Sequence, residues 1–353
     1  MLLLQAIFAA TILVLEIPTG YLADRWGRKR TLVLAGVFDV LAYVIYAQST
    51  GFWTFLLAET CIAVGASLRS GAVEAITYDS LLELKREQSY RSVMGNQSFL
   101  EFNTEAVCGL IGAALAGISL ALPLWVSVIP MSIALILACT LHEPARHMAQ
   151  DVRHWDTIRS VAKHTLFTHR GLRGIILIYG LISTLSLTFF WFFQPYQTQV
   201  GVPIALFGLT HAITLCVGAA SAKSVPWFEG RVDDRVLLII AGSIAVLCCA
   251  SLSLPPALWV LSFFALSRLA WHFAGPLTSD MVNRMTTSDV RATVLSLRSF
   301  VGRLIFVCTA PLVGMLADAR SPATTLLVAG IGGGAALLLA FASMRTVWRE
   351  IPA

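Results

Sequence analysis

The sequence predicts an all-α membrane protein that crosses the bilayer many times. Hydrophobic residues make up 57% of its 353 residues and charged residues only 13%, whereas about a quarter of a soluble domain is charged. The mean hydropathy is +0.77. Apolar stretches of the length that a bilayer-spanning helix needs, about 20 residues, recur along the chain. Together these observations exclude an ordinary soluble enzyme, a disordered protein and a nucleic-acid binder.

The apolar stretches predict eleven transmembrane helices, separated by short polar or Gly/Pro-containing breaks. They centre near residues 2–22, 31–48, 52–78, 92–119, 122–141, 173–198, 203–224, 235–254, 256–280, 291–317 and 322–344. All seven cysteines lie inside these runs without metal-like spacing. We therefore interpret the cysteines as small buried hydrophobic residues and predict no metal and no cofactor.

Basic residues are concentrated in alternate connections between the predicted helices. One set of connections and the C-terminal end carry twenty of the 25 Lys and Arg residues, and the opposite set carries only Arg320. Cytoplasmic loops retain Lys and Arg, whereas short translocated loops do not. The split therefore predicts that the basic set and the C-terminus lie in the cytoplasm and that Met1 lies on the opposite side.

A polar stretch at 142–172 divides the chain into an N-terminal bundle of five helices, 1–141, and a C-terminal bundle of six, 173–353. We interpret the stretch as a cytoplasmic linker. Four of its apolar residues recur at helical spacing: Val152, Trp155, Ile158 and Ala162. This spacing predicts a short amphipathic helix along the inner membrane surface.

The most specific motif occupies the first predicted cytoplasmic turn. It reads Gly20-Tyr-Leu22-Ala-Asp24-Arg25-Trp-Gly27-Arg28-Lys29-Arg-Thr-Leu32. Gly20 lets two helices approach closely, and Gly27 permits a tight turn. Asp24 is placed at a helix end, where it can accept hydrogen bonds from the positively polarised N-terminus of a neighbouring helix.

This run resembles the loop signature of the major facilitator superfamily, G-x-L-A-D-R-x-G-R-K-x-x-L, at every specified position. The preceding Glu16-Ile-Pro18-Thr resembles bacterial members that include many presumed drug exporters. The resemblance implies two pseudo-repeated helix bundles and secondary active transport of a small organic solute by alternating access. It also implies proton-coupled efflux by a monomer in the inner membrane, and a conformational switch formed by Gly20, Asp24, Arg25, Gly27, Arg28 and Lys29.

Two alternatives stay open beside export. One is a proton-coupled importer of an anionic metabolite. The other is a truncated membrane protein that does not transport, because the family's loop follows its second helix and here one predicted helix precedes it. We expect the true start upstream of Met1. No G-x-x-x-x-G-K-[ST] sequence for ATP binding occurs, and no convergent catalytic group indicates an enzyme.

Ionisable side chains within the predicted helices are functional candidates, because a charge at bilayer depth is costly without a partner or cavity. They are Glu16, Asp39, Glu59, Arg69, Glu74, Asp79, Glu101, Glu105, Arg268, His272, Asp280, Arg298 and Arg303. In the family the helices that carry Glu16 and Arg298 pack together. The resemblance therefore implies that Glu16 pairs with Arg298 or Arg303, either as a gate or as a static structural pair.

Several of these candidates have more than one interpretation. Asp79 is expected to accept Arg25 or Arg28 of the motif. Glu101 and Glu105 lie one helical turn apart and would either share a proton or bind nearby polar groups.

The remaining candidates lie on helices that line the cavity in the family. Arg268 and His272, on one helix face, would bind an anionic substrate, relay protons or pack helices, and Arg69 is a further substrate or proton candidate. Six aromatic residues crowd the outer end of one helix: Phe189, Phe190, Trp191, Phe192, Phe193 and Tyr196. We interpret them as a membrane-interface belt, with a hydrophobic drug pocket as the alternative.

Overall fold

The computed structural model describes residues 1–144, 154–228 and 231–345. The structure is 88% helical, and these ranges contain no strand. The predicted all-α fold is therefore confirmed. By contact the chain separates into two compact units.

The first unit comprises residues 3–144 together with Pro203–Leu209. Its helices are α1 (Leu2–Trp26), α2 (Arg28–Gln48), α3 (Phe52–Glu83), α4 (Tyr90–Ala116) and α5 (Leu122–Thr140). Helix α2 packs against both α3 and α5. Small residues make this packing close: Ala35 and Ala42 of α2 and Ala58 and Ala63 of α3 are buried, as expected where membrane helices pack by backbone approach.

The second unit comprises the described residues of 154–202 and 210–345. Its helices are α6 (His154–Lys163), α7 (Arg170–Trp191), α8 (Phe193–Gln199), most of α9 (Phe207–Phe228), α10 (Asp234–Ser251), α11 (Leu261–Met285), α12 (Ser288–Ala319) and α13 (Pro322–Ser343). Helix α7 packs against α10, α11, α12 and α13. It is the core of the unit, because the side chains of Ile175, Ile176, Ile178 and Ile182 are fully buried.

Ten helices in the described ranges are long and apolar enough to cross a membrane, one fewer than the eleven predicted. The difference lies in the first predicted span, which is helical as α1. Its apolar part, Leu2–Glu16, falls in the range of 10–17 residues. It is therefore shorter than the ten helices that are long enough to cross a membrane. The cysteine interpretation is corrected in part, because Cys248 and Cys249 are buried whereas Cys108, Cys139, Cys216 and Cys308 are exposed.

The predicted linker contains helix α6, followed by one π-helical turn over His164–Thr168. Val152, the first residue of the predicted amphipathic stripe, lies outside the described residues, as do the side chains of Trp155 and Ile158. The amphipathic character therefore stays a prediction. Three residues of the basic set also lie outside the described ranges: Arg146, Arg153 and Arg349.

Candidate functional site

The motif forms a one-residue turn between two helices of the first unit. Helix α1 ends at Trp26, α2 begins at Arg28, and Gly27 between them has φ 119° and ψ 140°. Only glycine adopts such a positive φ without strain. Arg25 stacks over the ring of Tyr21 at 5.6 Å, and the side chain of Asp24 lies outside the described part of the chain.

Arg28 ties this turn to α3. Its guanidinium pairs with the carboxylate of Asp79 and donates to the carbonyl of Ala75 at 2.7 Å. Arg28 and Asp79 are both largely shielded, with side-chain exposures of 19% and 17%. Of the two partners predicted for Asp79, Arg25 and Arg28, the structure shows the pair with Arg28. The conformational role of the motif stays a prediction.

Glu143 makes a second attachment at this turn, so that Arg28 and Glu143 together brace it. No motif in the sequence predicted the role of Glu143. Its two carboxylate oxygens accept the backbone N–H groups of Arg28 at 2.9 Å and Lys29 at 2.7 Å. The first N–H groups of a helix have no partner within the helix, and a carboxylate there also meets the positive end of the helix dipole. Glu143 therefore attaches the chain just after α5 to the start of α2. Its position beside the end of a predicted helix is the only sequence signal for this role.

A second ion pair lies deep in the same unit, between α2 and α3. Arg69 donates to the carboxylate of Asp39. The Asp39 side chain is 9% exposed, whereas that of Arg69 is 45% exposed. Gly65 makes room for the pair, because a Cβ atom there would lie 2.5 Å from Oδ1 of Asp39. Arg69 was predicted as a substrate or proton candidate, and the structure adds Asp39 as its partner.

Glu59, also on α3, is buried among neutral groups of the first unit. Gln5 of α1 donates to its carboxylate at 2.7 Å, and Tyr46 of α2 is a second polar neighbour. The carboxyl thus has two neutral polar partners in an otherwise apolar region.

One face of α4 lines an open cavity of about 620 Å³. Its lining residues are Val93, Asn96, Gln97, Leu100, Glu101 and Thr104. Glu101 accepts a hydrogen bond from Gln97 at 2.9 Å, and its side chain is exposed, as is that of Glu105. The Gln97 contact favours the local hydrogen-bonding interpretation for Glu101, and a proton shared with Glu105 stays a prediction.

The second unit contains a cluster of cationic and aromatic side chains on α7, α9 and α11. The guanidinium of Arg268, which is buried, lies 4.0 Å from the ring centre of Phe190 and 5.6 Å from that of Trp271. His211 also contacts Phe190, at 5.8 Å between ring centres. His272 packs on α9 at Gly218, where a Cβ atom would lie 2.6 Å from its Cδ2.

The interpretation of the aromatic run as a membrane-interface belt is wrong for most of its members. Phe189, Phe192, Phe193 and Tyr196 are buried in the second unit. Phe189 stacks on Phe264 of α11 at 4.2 Å between ring centres, and the tilted ring of Phe193 contacts it at 4.8 Å. The run lies where the central helix α7 meets α8, so these four side chains fill the core of the unit.

Arg298 has only neutral partners among the described residues. Buried on α12, it donates to Thr278 Oγ1 at 2.7 Å and to the carbonyl of Gly275 at 2.8 Å, and it stacks on Tyr179 at 4.2 Å. All of these partners belong to its own unit. The pairing of Glu16 with Arg298 or Arg303 stays a prediction.

Ten helices in the described ranges that are long and apolar enough to cross a bilayer define a multi-pass membrane protein. The family model of the Major Facilitator Superfamily matches residues 1–308, and the chain belongs to this family. Its members are transporters and not enzymes.

Similar proteins agree with this assignment. The tetracycline resistance protein, class H, of Pasteurella multocida is 24% identical over 269 residues, which cover 73% of this chain and 64% of that protein. The chain thus spans less than two thirds of that relative's length. Among solved structures, the nucleoside transporter NupG gives a TM-score of 0.72 at 15% identity, covering 98% of this chain and 90% of that one. A bacterial homologue of the human lysosomal transporter Spinster, inward-facing and unoccupied, gives 0.73 at 15% identity, covering 98% and 88%.

Proposed function

We propose that this transporter exports a small organic solute by alternating access in exchange for protons. It acts as a monomer in a bacterial inner membrane, with its C-terminus in the cytoplasm. The similarity to a tetracycline resistance protein supports export, because removal of a drug from the cell produces resistance. The concentration of Lys and Arg in one set of connections supports the orientation.

The ion pair between Asp39 and Arg69 is the structural feature that best supports proton coupling. A buried carboxylate beside a cation at bilayer depth can take up a proton, which neutralises it and releases the cation. Asp39 is nearly enclosed, whereas almost half of the Arg69 side chain is accessible. Protonation of Asp39 therefore frees an accessible guanidinium, and loss of the proton restores the pair. Glu101, on the cavity face of α4, is the second proton candidate.

The braced turn supplies the rigidity that alternating access requires. Arg28 attaches α2 to α3, and Glu143 attaches the end of α5 to the start of α2. This end of the first unit therefore moves as one body when the transporter changes state. We assign the switch itself to the motif residues and to the pairing of Glu16 with Arg298 or Arg303.

Transport into inverted membrane vesicles tests this proposal. With an acidic interior, wild-type vesicles are expected to accumulate tetracycline or another lipophilic drug, and collapse of the pH gradient should release it. Asp39→Asn should abolish the response to the gradient, because an amide cannot exchange the proton. Asp318→Asn is the matched control, since Asp318 is exposed near the end of α12. Equal loss in both variants, or full activity in Asp39→Asn, would contradict the assignment.

A second candidate function is the import of an anionic metabolite, and the Arg268 cluster favours it. A buried guanidinium flanked by aromatic rings suits a planar carboxylate. Uptake of small carboxylates by right-side-out vesicles distinguishes the two functions. Under this alternative Arg268→Gln raises the substrate concentration for half-maximal uptake, and drugs do not accumulate in inverted vesicles.

A further inference from the structure

A groove runs between α10 and α13 of the second unit, and we call it the α10–α13 groove. It has a volume of about 530 Å³. Its walls are apolar and consist mainly of Ile239, Val246, Leu247, Leu337, Leu338 and Phe341. Gly242 and Gly334 lie in its lining, and their missing side chains deepen it.

The length of the groove matches one leaflet of a bilayer. The lining of α10 extends from Arg235 to Leu247, and that of α13 from Gly334 to Arg345, just beyond the helix end. At 1.5 Å per residue these stretches are about 16 to 18 Å long. Half of a bilayer's hydrocarbon core is about 15 Å thick. A lipid chain fits this length from the headgroup level to the bilayer centre.

Both charged residues of the lining are arginines, and both lie at the same end. Among the described residues, no hydrogen bond or ion pair engages the guanidinium of Arg235 or Arg345. The nearby acidic residues have other partners. The carboxylate of Asp233 accepts the backbone N–H of Arg235 at 2.7 Å, and Asp234 pairs with Arg284. Within the described part of the chain, the groove therefore ends in two cationic side chains with no anionic partner.

We propose that the α10–α13 groove binds one anionic phospholipid. An acyl chain lies between α10 and α13, and the phosphate lies between Arg235 and Arg345. Guanidinium groups bind phosphate oxygens through paired hydrogen bonds, and basic pockets between membrane helices recognise anionic headgroups. A neutral lipid would leave the two arginines without an anion, and free phosphate would leave the apolar walls uncovered. Only a ligand with both an acyl chain and an anionic headgroup matches the α10–α13 groove.

Native mass spectrometry of the full chain in detergent tests this proposal. Phosphatidylglycerol and phosphatidylcholine with identical acyl chains are titrated in parallel, and the wild type is expected to retain phosphatidylglycerol at lower concentration. Replacing both Arg235→Gln and Arg345→Gln should weaken its binding about 30-fold, because each arginine near an anionic lipid contributes a factor of about 5. The matched control replaces Arg86 and Arg320 by Gln, which removes the same charge from exposed sites elsewhere and should leave retention unchanged.

A second variant tests the apolar part of the site. Gly334→Leu should weaken retention of both lipids, since its side chain fills the groove beside Val246, which lies 3.5 Å from a Cβ at this position. Equal retention of the two lipids by the wild type, or equal weakening in the double variant and its control, would overturn the proposal. Competition by glycerol phosphate at the lipid's own concentration would assign the arginines to a soluble anion.

Discussion

The hydrogen bonds of Glu143 make a strong prediction about the start of α2. Glu143→Ala removes two bonds from backbone N–H groups to a carboxylate, at 2.9 and 2.7 Å. Loss of a helix cap costs about 0.5 to 2 kcal/mol, and loss of the favourable charge at the helix start adds about 0.3 to 1 kcal/mol. Glu143 is only partly buried, so water compensates for part of the lost hydrogen bonding. We therefore expect the local free energy of unfolding at the start of α2 to fall by about 2 kcal/mol.

Hydrogen exchange measures this loss directly. A change of 1.4 kcal/mol is a factor of ten, so the amides of Arg28 and Lys29 should exchange about 30-fold faster in Glu143→Ala. Glu83→Ala is the control, because Glu83 makes only a looser contact with the exposed His142, at 3.7 Å, and should leave these amides protected. Unchanged exchange in Glu143→Ala, or the same acceleration in Glu83→Ala, would refute the role of Glu143.

Three further predictions concern packing and backbone strain. Gly27→Ala should lower the free energy of unfolding by about 1 to 3 kcal/mol, because its φ of 119° is strained for any residue with a Cβ; an unchanged melting temperature would contradict this. Gly65→Ala should impair gradient-driven transport, since its Cβ would displace the Asp39 carboxylate, and full transport would show that the pair tolerates movement. Phe264→Ala should destabilise the second unit by about 3 to 5 kcal/mol, whereas the exposed Trp259→Ala should have little effect on thermal unfolding.

Features that depend on local sequence were predictable. Helix positions follow from hydropathy, because each span must bury its own backbone hydrogen bonds in lipid and therefore needs a continuous apolar run. The tight turn follows from Gly27 within the motif. The partner of Asp79 was narrowed to Arg25 or Arg28, because this carboxylate lies near a predicted helix end beside the loop, and the structure shows the pair with Arg28.

Features that depend on distant parts of the chain were not predictable. Glu143 lies 115 residues from Arg28, and Asp39 lies 30 residues from Arg69. No local pattern shows which helices become neighbours, so neither contact could be derived from spacing. The aromatic run at the junction of α7 and α8 was misassigned for the same reason. Aromatic residues near a helix end look alike in sequence whether they face lipid or a neighbouring helix, and only the central position of α7 distinguishes the two.

In the transport cycle that we propose, protonation of Asp39 couples a proton gradient to movement of the solute. The most direct measurement is drug accumulation by purified protein in liposomes with an imposed pH gradient and no membrane potential. Wild-type protein is expected to accumulate drug in proportion to the gradient, while Asp39→Asn exchanges drug across the membrane without accumulating it. Gradient-driven accumulation by Asp39→Asn equal to that of the wild type would contradict this account.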